Sequence, residues 1–360
     1  MYIRWIPWGI FCLALLVSCE QTNTDTDASK QAARPDSITD VSRIAALTKQ
    51  IESNPEDYAL FQDRSELYYQ IDSLDRAIAD IEAAIALYQT GPDLHYWRGF
   101  LAFTSGDTLQ ARTAYQRAID LGTQNSEAYY QLGQVAFFNQ NYGEAQQLYA
   151  RAAEFAPEQP IYIFAQGFLL EAQQDYKGAT KQYLDALALD STFAKPLTRL
   201  HDIYLDFYEN ERVAMKYNAQ LIRNQPLHPL GRYQLGNYHL RNALRARNSE
   251  NATLFGEEIN LAVESYTLSI NRDPQYALAR YFRGYAYFLA EQRVDLAIAD
   301  MEEALKLDPT MGSAYFVLGS IYEYNGDLQS AKNYYEQAVK YQPDSKDFQQ
   351  ALREVQAQLK

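Results

Sequence analysis

The stretch GSAYFVLGSIYEYNGDLQSAKNYYEQAVKYQP, residues 312–343, contains two amphipathic segments joined by the turn-forming residues Gly326 and Asp327. Apolar residues recur at i, i+3, i+4 and i+7 in each segment, which is the spacing of an α-helix with one buried face. A glycine inside a helix costs about 1 kcal/mol relative to alanine, so Gly319 requires a packing reason. We therefore predict two helices that approach closely at small residues, with aromatic side chains filling the wider gaps.

The small residues of this stretch recur upstream at a fixed interval of 34 residues. Three series keep that interval: Ala77, Ala111, Ala145 and Ala179; Ala84, Ala118, Ala152 and Ala186; and Ser65, Gly99, Gly133 and Gly167. One helix pair cannot bury its apolar face alone, so repeated pairs gain stability by stacking on their neighbours. The spacing thus predicts an all-α solenoid.

From about residue 58 to 345 the chain resembles the tetratricopeptide repeat. The last copy carries the motif residues of that family: Tyr315, Leu318, Gly319, Tyr322, Ala331, Tyr335, Ala338 and Pro343. The resemblance implies a right-handed superhelix of eight helix-turn-helix repeats over 58–345, beginning near 58, 92, 126, 160, 194, 229, 277 and 312. Residues 37–57 and 346–360 are predicted to form capping helices at the two ends.

Two copies depart from the pattern. In the fifth, His201 replaces the glycine, and Val213-Ala214 blurs the register of the second helix by one residue. In the sixth, Gly236 and Gly284 are 48 residues apart, so about 14 extra residues fall within 240–259. Four arginines crowd there, with no acidic residue between 227 and 249: Arg232, Arg241, Arg245 and Arg247. They form either a contact for an anionic glycan or envelope polymer, or a solvated basic face neutralised by Glu257 and Glu258.

The first helix of each repeat lines a concave groove in the family that the chain resembles, with positions 2, 5, 9, 12 and 13 facing inward. Positions 5, 9, 12 and 13 share one helical face by spacing alone. The predicted groove residues are Tyr96, Phe100, Phe103, Tyr130, Gln134, Phe137, Phe164, Phe168, Tyr233, Asn237, Tyr281, Tyr285 and Phe288. An aromatic groove suits an extended peptide or a helical segment of a partner protein. Packing between repeats is the alternative role for these rings.

Some repeats of this family grip an acidic C-terminal motif with a clamp of basic and amide side chains. Lys195 and Arg199 match the last two positions of that clamp, whereas Tyr130, Gln134 and Ala165 occupy the earlier ones. The clamp is incomplete, so the sequence does not predict an acidic partner.

Residues 1–18 are predicted to form a signal peptide, because their apolar run of about 13 residues is shorter than the roughly 20 needed to span a bilayer. Leu16-Val17-Ser18-Cys19 resembles the lipobox of bacterial lipoproteins, which implies cleavage before Cys19 and attachment of diacylglycerol to its sulfur. Glu20 follows, which favours the outer membrane, and residues 19–36 are polar and predicted to be a flexible tether.

Composition excludes several function classes. The formal net charge of −14 would repel phosphates, so we expect no nucleic-acid partner. None of the four histidines belongs to an H-E-x-x-H pair, and no nucleophile elbow or phosphate loop occurs, so we predict no catalytic residue, metal or cofactor. The sequence predicts a membrane-anchored scaffold or assembly factor of a bacterial envelope, with a protein partner in the groove and an undetermined oligomeric state.

Overall fold

The computed structural model describes residues 37–290 and 293–359, in which every regular element is an α-helix. The all-α fold predicted from the 34-residue spacing is confirmed for this part of the chain. The predicted signal peptide (1–18), the tether (19–36) and the lipid-attachment residue Cys19 lie outside the described residues.

The described chain divides between Ser191 and Thr192 into a first unit (37–191) and a second unit (192–359), and within each unit consecutive helices pack against one another in series. The first unit contains α1 (Ser37–Ser53), α2 (Tyr58–Gln70), α3 (Leu74–Leu87), α4 (Pro92–Thr104), α5 (Thr108–Asp120), α6 (Ser126–Phe138), α7 (Tyr142–Phe155), α8 (Pro160–Ala172) and α9 (Tyr176–Leu189). The second unit contains α10 (Ala194–Asp206), α11 (Glu211–Asn224), α12 (Pro229–Asn248), α13 (Ala252–Arg272), α14 (Ala277–Leu289), α15 (Val294–Leu307), α16 (Gly312–Tyr324), α17 (Leu328–Tyr341) and α18 (Lys346–Gln358).

The recurring glycines lie where a tyrosine of the second helix in a pair presses against the backbone of the first. A Cβ atom added to any of these glycines would lie 2.5–2.8 Å from the ring. The pairs are Gly99–Tyr115, Gly133–Tyr149, Gly167–Tyr183, Gly236–Tyr266 and Gly319–Tyr335. All five rings are buried, with exposed fractions of 4% or less. The glycines are therefore explained by close packing between helix and ring.

In the fifth copy, the glycine position of the first helix holds a larger residue, and the tyrosine position of the second helix holds a smaller one. Ala214 is fully buried, as are the alanines that begin the register in other copies, and the next position of the register is Asn218. His201 stands where other copies have glycine, and both His201 and Asn218 are buried. The fifth copy thus has a larger residue at the glycine position and a smaller residue at the tyrosine position.

Six of the described turns between paired helices share one construction. A residue with positive φ follows the first helix, and the residue directly after it is an Asp or Asn. The side chain of this Asp or Asn accepts a hydrogen bond from a backbone N–H of the second helix. The capping residues are Asp107, Asn141, Asp175, Asn210, Asn251 and Asp327. The residues with positive φ before them are Gly106, Gln140, Gln174, Glu209, Glu250 and Gly326.

The extra residues of the sixth copy lengthen both of its helices. Helices α12 and α13 have 20 and 21 residues, whereas α14 and α15 have 13 and 14. Each long helix therefore gains about two turns. The basic residues of this segment lie on α12, ahead of the turn at 249–251.

A half-buried arginine joins three helices in each unit. Its guanidinium makes two hydrogen bonds of 2.6–2.7 Å to an aspartate of the paired helix, and a third of 3.0–3.1 Å to a threonine of the helix before. The residues are Arg64, Asp80 and Thr48 in the first unit, and Arg283, Asp300 and Thr267 in the second. This fork geometry orients neighbouring helices as well as pairing charges.

None of the described helices is both long enough and apolar enough to cross a membrane.

Candidate protein-binding site

Eight of the predicted groove residues lie on three first helices of the first unit: α4, α6 and α8. Seven of the eight are half-buried, and Tyr130 is 8% exposed. They are Tyr96, Phe100 and Phe103 on α4; Tyr130, Gln134 and Phe137 on α6; and Phe164 and Phe168 on α8. The structure thus provides partly accessible side chains, mostly aromatic, on successive repeats, and we call this set the aromatic surface; Tyr130 is its one buried member.

The rings of α6 and α8 form a continuous set of contacts. Phe137 lies 5.3 Å from Phe168, measured between ring centroids, and Phe168 is stacked with Phe164 at 6.1 Å. Phe138 meets Phe137 edge-on at 5.9 Å and is 50% exposed. Aromatic pairs at these separations have favourable geometry, so the rings of this surface support one another.

On α4, Phe100 belongs to an aromatic cluster that the sequence did not predict. Trp97 stacks on Phe100 at 5.0 Å, and Tyr69 of α2 meets Phe100 edge-on at 5.1 Å. The indole Nε1 of Trp97 donates a hydrogen bond of 2.9 Å to Ser65 Oγ, which fixes the orientation of the indole. Phe100 is therefore held in place by residues of two repeats.

A carboxylate lies among the tyrosines at one end of the aromatic surface. Glu127 Oε1 accepts a hydrogen bond of 2.6 Å from Gln131, and Glu127 Oε2 accepts one of 3.2 Å from the hydroxyl of Tyr162. Burial raises the pKa of Tyr96 above its ordinary value, and the nearby charge of Glu127 raises it further. Glu127 occupies position 2 of its repeat, one of the inward-facing positions, so the sequence held a signal for it.

Further tyrosines surround the same carboxylate. The pKa values of Tyr115 and Tyr130 are raised by burial and, secondarily, by neighbouring groups that include Glu127. Burial also raises the pKa of Tyr162 to about 12. All of these hydroxyls therefore remain protonated at neutral pH.

The predicted residues of the second unit serve mainly in packing. Tyr233, Tyr281 and Phe288 are 8%, 2% and 7% exposed, so their rings have little surface for a partner. Asn237 accepts a hydrogen bond of 2.7 Å from the hydroxyl of Tyr266, and the half-buried Tyr285 stacks on Tyr281. For this unit, packing between repeats describes the residues better than a groove lining, because α12 and α14 bury these rings against their neighbours.

The basic cluster pairs with Glu211, whereas the sequence suggested Glu257 and Glu258 as its partners. Arg241 and Arg245 each donate a hydrogen bond of 2.8 Å to the carboxylate of Glu211 on α11, whereas Glu258 lies 2.7 Å from Nδ1 of His239. The assignment of Glu257 and Glu258 as neutralising residues is therefore not supported, since stacking brings α11 beside α12.

The two remaining arginines of the cluster have neighbours of other kinds. Arg232 Nε donates to the carbonyl oxygen of Pro226 at 2.7 Å, and Arg247 lies over the ring of Phe255 at 5.8 Å. For Glu211, burial opposes ionisation, but hydrogen bonds and charge from Arg241 and Arg245 outweigh burial and hold its pKa below the ordinary value. Glu211 thus offsets part of the positive charge that would attract an anionic polymer.

Histidine–carboxylate pairs occur in the second unit, within the packing of helices. His201 Nδ1 lies 2.9 Å from Asp202 Oδ1, and the same oxygen accepts a hydrogen bond of 2.9 Å from Gln234. Across the described residues, no three or more His, Cys, Asp or Glu side chains gather in a way that could hold a metal ion.

Comparison with known proteins places these repeats in a family. Models of the tetratricopeptide repeat match residues 63–126, 98–161, 256–312 and 312–345, which together make up more than half of the chain. A human DnaJ homolog, subfamily C member 7, is 24% identical over 330 residues, which are 87% of this chain and 66% of the relative. The human superkiller complex protein 3 is 24% identical over 335 residues, which are 93% of this chain and 18% of the relative. The chain thus spans less than two thirds of the length of either relative.

Solved structures share the fold at low sequence identity. The Cut9–Hcn1 hetero-tetramer of the APC/C matches with a TM-score of 0.56 and 13% identity, over 85% of this chain and 57% of that chain. An IFIT1 structure matches with a TM-score of 0.55 and 13% identity, over 84% of this chain and 74% of that chain. With the family matches and the glycine–tyrosine packing of successive helix pairs, the chain belongs to the tetratricopeptide repeat family.

Proposed function

We propose that this protein is a scaffold or assembly factor of a bacterial cell envelope that binds an extended or helical segment of a partner protein on the aromatic surface of the first unit. Tetratricopeptide repeats mediate protein–protein interactions, which sets the class of function. The observation that carries the proposal is the run of half-buried rings across α6 and α8, with Phe138 50% exposed beside Phe137. Contiguous exposed apolar surface of this kind typically marks an interaction site.

The anchor is the second part of the proposal. A lipid on Cys19 would hold the protein at the outer membrane, and two or more acyl chains anchor stably where one chain binds only marginally. The support is the lipobox-like Leu16-Val17-Ser18-Cys19 and the polar residues that follow it.

Photocrosslinking in intact cells tests the binding site. A photoreactive phenylalanine analogue at Phe138 should form an adduct with a partner, whereas the same analogue at Leu109, which is 75% exposed on α5, should not. Replacing both Phe137 and Phe168 by alanine should remove the adduct while the helical circular dichroism signal remains. Equal crosslinking at both positions, or an adduct that survives the double replacement, would contradict the proposed site.

Metabolic labelling with an alkyne fatty acid tests the anchor. The wild-type protein should carry the label and fractionate with outer membranes, and the Cys19→Ala variant should carry no label and leave the membrane fraction. An unlabelled wild-type protein, or a Cys19→Ala variant that stays membrane-bound, would refute the anchor without bearing on the aromatic surface.

A further inference from the structure

Glu127 is a half-buried carboxylate surrounded by aromatic rings from several helices of the first unit. Tyr96 comes from α4, Tyr115 from α5 and Tyr162 from α8, while Tyr130 lies on the same helix as Glu127. Tyr130 and Tyr162 are 5.3 Å apart between ring centroids, and Tyr96 and Tyr115 are 6.0 Å apart. Tyr96 and Glu127 are half-buried, whereas Tyr115, Tyr130 and Tyr162 are buried, so Tyr96 and Glu127 are the members that a partner can reach.

The carboxylate of Glu127 is paired only with neutral donors among the residues that the structure describes. Those donors are the amide of Gln131 and the hydroxyl of Tyr162. Two other acidic side chains of the first unit each contact an arginine: Asp80 pairs with Arg64 at 2.6 Å, and Glu144 with Arg112 at 2.9 Å. A half-buried negative charge without a cation is costly unless a cation is supplied from outside.

A second group of this site also has an unmet hydrogen-bonding capacity. The hydroxyl of Tyr115 is buried and has no hydrogen-bond partner within the described part of the chain, while the residue itself is 0% exposed. Buried hydroxyls are normally hydrogen-bonded, so an orphaned one calls for an explanation. The ring of Tyr115 packs beside that of Tyr96, with 6.0 Å between the ring centroids, so this unsatisfied hydroxyl belongs to the same set of rings.

The charge of the whole unit favours the same kind of ligand. Residues 37–191 contain 21 Asp and Glu against 10 Lys and Arg, a formal net charge of −11, whereas residues 192–360 contain 21 against 19. The negative charge is thus concentrated in the unit that carries the aromatic surface. Such a surface attracts basic segments and repels acidic ones.

We propose that Glu127, together with Tyr96, Tyr115, Tyr130 and Tyr162, binds a lysine or arginine side chain of the partner. Glu127 supplies a charge-assisted hydrogen bond, and the half-buried ring of Tyr96, which packs against the buried ring of Tyr115, supplies a cation–π contact. This inference rests on the proposed function of the aromatic surface and narrows it: the partner segment is basic, with apolar residues beside its cation.

Selection from a phage library of random peptides on the immobilised full-length protein tests both the aromatic surface and the cation site at Glu127. Enriched peptides should combine a lysine or arginine with aromatic or aliphatic residues. The same selection on the Glu127→Gln variant should lose the preference for the cation and keep the apolar preference. Glu171→Gln is the matched control, because Glu171 of α8 also accepts a tyrosine hydroxyl, from Tyr183 at 2.6 Å.

Affinity measurements on one selected peptide make the test quantitative. Replacing its lysine by norleucine should weaken binding to the wild type about tenfold, the factor expected for one charge-assisted hydrogen bond. The same replacement in the peptide should hardly change its affinity for the Glu127→Gln variant. It should weaken binding to the Glu171→Gln variant as much as binding to the wild type. Thermal melts of both variants establish that each is folded.

The possible failures are distinguishable. Peptides that are apolar and neutral, depend on Phe137 and Phe168, and ignore Glu127→Gln would overturn the cation site and leave the aromatic surface intact. Enrichment of acidic peptides would also overturn it. An absence of any enrichment, or binding unaffected by Phe137→Ala with Phe168→Ala, would overturn the proposed function itself.

Discussion

Replacing Gly133 by alanine tests whether the recurring glycines are there to admit a tyrosine ring. The added Cβ atom would lie 2.6 Å from Cε1 and 2.7 Å from Cδ1 of Tyr149, and 3.3 Å from the Cβ atom of Leu148. Carbon atoms are at their optimal separation at about 3.5–4.0 Å, so the overlap with the ring is about 1 Å. Tyr149 is 4% exposed and packs against Tyr130, so its ring has little room to retreat.

Two opposing contributions set the size of the effect. Alanine favours a helix over glycine by about 1 kcal/mol, while overpacking a buried contact costs about 1–3 kcal/mol. Because the clash involves a rigid ring held between two helices, we expect the cost to exceed the gain. Gly133→Ala should therefore lower the free energy of unfolding by about 1 kcal/mol.

Gly143 offers a matched control on the adjacent helix α7. A Cβ atom added there would meet no other atom within 4 Å, so Gly143→Ala should be neutral or stabilising by up to about 1 kcal/mol. Urea unfolding followed by circular dichroism gives both free energies. Amide hydrogen exchange in α6 and α7 reports the local change, since repeat arrays can unfold in parts.

The opposite ordering of the two variants would refute the packing explanation. A further check is the double variant Gly133→Ala with Tyr149→Leu, in which the smaller side chain makes room for the methyl group. Its destabilisation should be less than the sum of the two single effects. Additive effects would mean that the ring and the methyl group do not compete for the same space.

Three further predictions concern polar side chains in the helix packing of the second unit, each measured by urea unfolding. Asp300→Ala should cost about 3 kcal/mol, because it leaves the guanidinium of Arg283 without its carboxylate, whereas Glu303→Ala on the exposed face of α15 should change nothing measurable; equal effects would contradict this. Glu211→Gln should destabilise at pH 7, and the difference from wild type should close as the pH falls through the carboxyl range, because the folded-state pKa of Glu211 lies below its unfolded value; a difference independent of pH would be inconsistent. Asn218→Leu should stabilise by about 1–2 kcal/mol, because neither amide atom of this fully buried side chain has a hydrogen-bond partner within the described chain; a loss of stability would indicate a partner such as bound water.

The sequence was sufficient for the fold because its information is local and repeated. The interval of 34 residues identifies the equivalent positions of each copy, so the close approach that the structure shows between Gly133 and Tyr149 recurs at the matching residues of other copies. The same interval explains why the fifth copy looked degenerate. A shift of one residue restores the register at Ala214, and the exchange of sizes between His201 and Asn218 shows only when both are seen to be buried.

The site was less predictable, because burial depends on which neighbours a ring has. Tyr96 and Tyr233 occupy the same repeat position, yet Tyr96 is half-buried while Tyr233 packs against Tyr276 and Phe282. Contacts between copies were missed for the same reason. Glu211 is 30 residues upstream of Arg241 and outside the basic stretch, so only the stacking of α11 on α12 brings them together.

Five turns place a non-glycine residue in the left-handed region of the backbone: Asp72, Gln140, Gln174, Glu209 and Glu250. Gly106 and Gly326 occupy the equivalent position in two other turns without this strain. Glycine at each of the five sites should relieve up to about 1 kcal/mol, and well-separated changes should add. The stability of the array can thus be raised one turn at a time, so that the opening of individual helix pairs can be varied separately in a single protein.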